Sequence, residues 1–169
     1  LDYPADDTLI HTLSERYIEL LSSHTHLLPD AREMLQYLGA HYRLHIITNG
    51  FEQVQLRKLR NCGLDTFFGQ VVHSERAGVK KPDRRIFELA LDLAGDTATS
   101  AVMVGDSLEA DIIGARSVGL QALHFNVYRS SKYARANSLA IFLSVMVPIM
   151  PYMAAISETS SASTAGRST

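Results

Sequence analysis

The sequence predicts an α/β fold, a doubly wound parallel sheet with helices on both faces, and three observations predict it. Short apolar runs alternate with helix-length amphipathic segments at the spacing of βαβ units. The run Ala101 to Val104 is apolar at every position, the pattern of a strand buried on both faces. Helix-length segments end at Gly39, Gly63, Gly95 and Gly119, where glycine can take the left-handed conformation that stops a helix.

Taken in order, residues 8–22 set Leu9, Leu13, Tyr17, Leu20 and Leu21 near one face and predict a helix. A second helix follows Pro29 and Asp30 and runs to Gly39. "RLHIITNG" is a strand from Leu44 to Thr48, closed by the Asn49–Gly50 turn signal. "FEQVQLRKLRNCGL" is a helix and "GQVVHSE" a short strand. Pro82 and Asp83 open the helix that ends at Gly95. The strand at 101 feeds a helix to Gly119, with Leu108, Ile112, Ala115 and Val118 at helical spacing. Asp106 with Glu109 suits the capped start of that helix. "LQALHFNV" is the last strand of the alternation.

The 169 residues are 46% hydrophobic and 20% charged, enough for one domain with a real core. A net charge of −2 gives no general affinity for nucleic acid. The lone Cys62 excludes an intramolecular disulfide and fits a reducing, cytoplasmic compartment. From residue 129 the character changes. "YRSSKYARANS" is polar and basic, residues 139–156 are apolar, and the end is a Ser/Thr-rich stretch read as disordered. Eighteen apolar residues are the lower limit for a membrane span, and Pro148 and Pro151 argue against one. Helix or disorder outside the sheet is the favoured reading of 139–147, with insertion into the sheet as the alternative.

Three strand ends carry polar residues of different kinds. Thr48, Asn49 and Gly50 follow "LHII"; Lys80 and Lys81 precede Pro82; Asp106 and Asp111 follow "AVMVG". Right-handed winding brings these ends to one edge of a parallel sheet, where ligands bind. A hydroxyl with free amides, an ammonium and two carboxylates suit a phosphate accompanied by a divalent cation.

The order "IITNG", "GVKKPD", "VGDSLEAD" closely resembles motifs II, III and IV of the haloacid-dehalogenase-like hydrolase superfamily. The resemblance covers residues 1–128 and is similar in finer detail to the pyrimidine 5′-nucleotidase branch. It implies a Rossmann-like core over residues 29–128, part of a helical cap over 1–28, and an atypical tail over 129–169. It also implies a Mg²⁺-dependent phosphatase acting on a phosphorylated small molecule, a nucleoside 5′-monophosphate in the favoured reading. Thr48 and Lys81 take catalytic roles by this resemblance, and Thr48, Asn49, Gly50 and Lys81 bind substrate. Asp106 and Asp111 hold the metal; spacing alone does not say which is the direct ligand. Rival readings are a sugar-phosphate phosphatase or dehalogenase of the same superfamily, and a non-catalytic interaction protein. The Asp106/Asp111 pair argues against a dehalogenase, which needs no metal.

One departure matters. The superfamily's nucleophile is the first aspartate of a "DxDx(T/V)" motif on its first, central strand, and no such motif precedes "IITNG". The expectation is a chain that lacks that strand, begins inside the cap, and does not turn over phosphate esters by itself.

Overall fold

The computed structural model describes residues 6–23, 25–125 and 145–148. Helix α1 (Asp7–Ser23) is followed by α2 (Ala31–His41), strand β1 (Leu44–Thr48), α3 (Glu52–Asn61), β2 (Phe68–His73), a short α4 (Ser74–Ala77) and α5 (Arg84–Ala94). Then come β3 (Ala101–Gly105), a π-helical stretch (Leu108–Ile113) continuing into α6 (Gly114–Ser117), β4 (Gln121–His124) and β5 (Val145–Pro148).

The sheet order is β2-β1-β5-β3-β4. Strand β1 is parallel to β2, with Thr48 level with His73; β3 is parallel to β4, with Gly105 level with His124. Strand β5 runs antiparallel to both β1 and β3, so these two are parallel to each other. The C-terminal ends of the four parallel strands therefore share one edge.

Strand β5 corrects the favoured reading of the tail. Its four residues lie at the centre of the sheet, between β1 and β3, not in a helix outside it. Met146 stands opposite His45 on one side and Met103 on the other, and is fully buried. The physical reason is backbone pairing. Two parallel strands with apolar faces would otherwise leave buried N–H and C=O groups unmatched at the sheet centre. The remaining tail, including the basic stretch and the Ser/Thr-rich end, lies outside the described residues. Among the described residues no helix is long and apolar enough to cross a membrane.

Two cores sandwich the sheet. On one face α5 buries Ile86, Phe87, Ala90, Leu91 and Ala94 against Ile47, Val72, Met103 and Met146. On the other, Leu35, Leu44, Ile46, Leu59, Cys62, Leu64 and Phe68 pack together. Helix α1 packs against α3, but the apolar residues that predict it, Leu9, Leu13, Tyr17 and Leu20, are 51–63% exposed. Ser107, not Asp106, caps the helical stretch after β3: its Oγ accepts the Ala110 N–H at 3.0 Å. That leaves the Asp106 carboxylate uncommitted to a cap.

Candidate active site

Thr48 ends β1 at the shared edge. Its Oγ1 accepts the Gly50 N–H at 3.1 Å, so the hydroxyl hydrogen is left to donate outward. Asn49 is engaged elsewhere. Its Nδ2 donates to the Lys81 carbonyl at 3.0 Å, and its Oδ1 accepts the Lys81 N–H at 2.7 Å. One carboxamide thus holds both main-chain groups of Lys81, a tethering role that "TNG", read as a turn, does not reveal. Ser74, the first residue of α4, ties the same loop by donating its Oγ hydrogen to the Asn49 carbonyl at 3.2 Å.

Of the two adjacent lysines, Lys80 is exposed and Lys81 is buried. Lys81 Nζ donates to the Ile47 carbonyl at 2.8 Å and to Asp111 Oδ1 at 2.6 Å. Burial pulls the Lys81 ammonium below its ordinary pKa, while Asp111, and beyond it Asp106, oppose that shift. Asp111 is 1% exposed and has both oxygens occupied, since Oδ2 accepts the Ser107 N–H at 3.0 Å. Gly105 must lack a side chain here, because a Cβ would overlap the Asp111 carboxylate. Asp106 differs from Asp111 in having its side chain open at the edge; its carbonyl lies 3.0 Å from His124 Nε2. Partial desolvation, with the nearby Asp111 charge, raises the Asp106 pKa.

Thr48, Lys81, Asp106 and Asp111 therefore meet at one end of the sheet. The three charged groups sum to −1, which a divalent cation would turn to +1. An exposed carboxylate beside a second carboxylate fits such a cation.

A second group was missed in the sequence. Glu52, His73 and Glu75 bring one ligand atom each within 4.8 Å of the others, the spacing of a metal group. The tautomer weighs against that use. His73 Nδ1 accepts the Arg76 N–H at 3.2 Å, so the neutral ring carries its proton on Nε2, 3.3 Å from Glu52 Oε1. A cation on Nε2 would move the proton to Nδ1, against the Arg76 N–H. Glu75 Oε2 meanwhile accepts the Glu52 N–H at 2.8 Å and caps α3. The three residues brace β2 and α4 against the start of α3. The available signal was the placement of Glu52 just past "TNG" and of Glu75 just past a strand end.

Comparison with known proteins agrees with this geometry. The family model "haloacid dehalogenase-like hydrolase" matches residues 2–119. Pyrimidine 5′-nucleotidase YjjG of Escherichia coli is 38% identical over 117 residues, 69% of this chain and 52% of that protein. Ribulose-1,5-bisphosphate 5-phosphatase of Halopiger xanaduensis is 41% identical over 111 residues, 65% of this chain and 45% of that protein. The crystal structure of a HAD phosphatase from Thermococcus onnurineus superposes with a TM-score of 0.62 at 34% identity, covering 73% of this chain and 57% of that one. The chain thus spans about half the length of the relatives it matches. With the family model covering most of the sequence and the motif residues gathered at one sheet edge, the chain belongs to the haloacid dehalogenase-like hydrolases.

Proposed function

We propose that this chain carries the phosphate- and metal-binding side of a Mg²⁺-dependent phosphomonoesterase, with a nucleoside 5′-monophosphate as substrate and a cytoplasmic setting. The observation that carries the reading is the buried Lys81–Asp111 pair at the sheet edge where Thr48 ends β1 and the Asp106 carboxylate lies open. Thr48 donates its hydroxyl hydrogen to a phosphoryl oxygen. Lys81, held in place by Asn49 and Asp111, supplies fixed positive charge where charge is redistributed in the transition state. Asp111 acts through Lys81 and the Ser107 amide, and Asp106 is the direct metal ligand. Asp106 would hold Mg²⁺, and the charge that ion supplies would offset that of the phosphoryl oxygens.

No DxDx(T/V) motif precedes "IITNG", and by the superfamily resemblance the attacking group is the first aspartate of that motif. Its carboxylate oxygen attacks phosphorus, the ester oxygen leaves, and water cleaves the aspartyl-phosphate. The similarity to a pyrimidine 5′-nucleotidase supports a nucleotide substrate; the similarity to a ribulose-bisphosphate phosphatase favours a sugar phosphate as the second reading. The test is an assay of the purified chain with p-nitrophenyl phosphate and Mg²⁺. No turnover above background is expected. Robust turnover would show that the nucleophile lies within these 169 residues and overturn this division of labour.

A further inference from the structure

Helix α1 carries an apolar stripe that the fold leaves open. Ile10, Leu13, Tyr17 and Leu20 alternate spacings of three and four, the seam by which two helices pack along their length. With Leu9 beside them, these residues are 51–63% exposed. Every residue from Asp6 to Tyr17 is exposed. The helix is held to the body by its last turns. Ile18 lines a cleft with Phe51 and Val54, the Ser22 hydroxyl accepts from Arg57 Nη1 at 3.3 Å, and the Ser22 carbonyl accepts from Asn61 Nδ2 at 3.0 Å. At 3.6 residues per turn, Ile18 and Ser22 lie on the side of α1 away from the stripe. A helical segment this short, without tertiary contact, is marginal in water. Its stripe calls for a second helix.

We propose that the stripe is the surface by which this chain pairs with a second copy of itself, the two α1 helices running antiparallel. The stripe is complementary to itself in that arrangement. Leu13 meets the partner's Tyr17, and Ile10 meets the partner's Leu20, so every layer of the seam is filled by apolar side chains. The area is sufficient. Leu9, Ile10, Leu13, Tyr17 and Leu20 each offer roughly 100 Å², so two copies bury about 1,000 Å² in total, the lower bound for a specific interface. Charge agrees as well. Arg16 and Glu19, on the flank of the stripe, pair at 2.6 Å within one copy and bring no uncancelled charge to the contact. The antiparallel direction opposes the two helix dipoles and keeps Asp6 and Asp7 of one copy far from those of the other. Parallel pairing would bring these carboxylates together, where like charges repel. Because each body lies behind its own α1 at the C-terminal turns, antiparallel pairing also sets the two bodies at opposite ends of the helix pair.

The test is sedimentation equilibrium of the chain between about 1 and 100 µM, the range suited to an interface of this size. A reversible monomer–dimer equilibrium is expected. Leu13→Glu and Tyr17→Glu, which put a charge into the seam, are each expected to weaken association by roughly tenfold or more. Glu15→Gln, exposed and off the stripe, is expected to leave it unchanged. All three positions are exposed, and a urea midpoint equal to that of the parent chain at the lowest concentration checks that each variant folds. On oxidation, a mixture of Leu13→Cys and Tyr17→Cys chains is expected to join unlike chains. Joining of like chains instead would mean parallel pairing and overturn the arrangement. A chain that stays monomeric at about 100 µM, forms assemblies larger than a dimer, or keeps its dimer in both Glu variants overturns the proposal.

Discussion

Met146 offers the sharpest perturbation of the fold. It sits at the centre of the sheet, fully buried, facing Met103 on β3 and His45 on β1. Met146→Leu conserves volume and is expected to cost less than about 1.5 kcal/mol. Met146→Ala leaves a cavity between two strands and is expected to cost about 2–5 kcal/mol. Met146→Asp puts an unpaired charge in the core and is expected to cost several kcal/mol more, against a whole-domain stability of about 5–15 kcal/mol. With an m-value of about 2 kcal/mol/M, a loss of about 3 kcal/mol moves the urea midpoint by about 1.5 M. Met103→Ala is the calibrating variant, since Met103 is equally buried on the neighbouring strand. Urea unfolding followed by circular dichroism should give similar shifts for Met103→Ala and Met146→Ala and no cooperative transition for Met146→Asp. If Met103→Ala is costly while Met146→Asp leaves the midpoint unchanged, β5 does not close the sheet and the reasoning is refuted.

Two further outcomes follow from buried titratable groups. His45 is buried, neither ring nitrogen has a hydrogen-bond partner among the described residues, and desolvation, with the Arg43 charge, lowers its pKa below 6.5. The unfolded chain then binds more protons, so this contribution to stability is full above about pH 6.5 and is lost progressively as pH falls from there through the lowered folded value. His45→Leu should flatten the urea midpoint between pH 7.5 and pH 5 relative to the parent chain; an unchanged slope would rule His45 out as its source. Lys81→Met strands the buried Asp111 carboxylate and should cost about 3–5 kcal/mol, while Lys80→Met, at an exposed position, should stay within about 0.5 kcal/mol. Equal losses in thermal denaturation would mean that the ion pair does not distinguish the two lysines.

Much of this architecture is legible in the sequence because each signal is local. The run 44–47, apolar but for His45, and the apolar run 101–104 are strands of the sheet, the first buried throughout and the second at Ala101 and Met103, and the spacing of Ile86, Phe87, Ala90, Leu91 and Ala94 draws the buried face of α5 directly. Gly95 stops that helix with φ of 67°, a conformation that favours glycine. What the sequence does not reveal depends on distant partners. Strand β5 lies within a longer apolar stretch containing two prolines, and periodicity cannot separate a strand buried on both faces from a buried helix. Its pairing joins residue 146 to residue 45, and no local pattern encodes that. Helix α1 shows the converse: the amphipathic spacing is plain, yet it does not tell that the apolar face lies open. In the site, Lys81 beside Pro82 is visible as a motif, but the hold of Asn49 on its backbone emerges only when β1 and the 78–82 loop are brought together.

The central claim is that one sheet edge, built from Thr48, Lys81, Asp106 and Asp111, binds phosphate together with a divalent cation. The most direct measurement is a ³¹P NMR titration of inorganic phosphate with the chain, with and without Mg²⁺, compared with Asp106→Asn. Saturable binding that strengthens with Mg²⁺, and loses that dependence in Asp106→Asn, is the expected result. Binding indifferent to Mg²⁺, a Mg²⁺ dependence that survives Asp106→Asn, or no binding at all would contradict it.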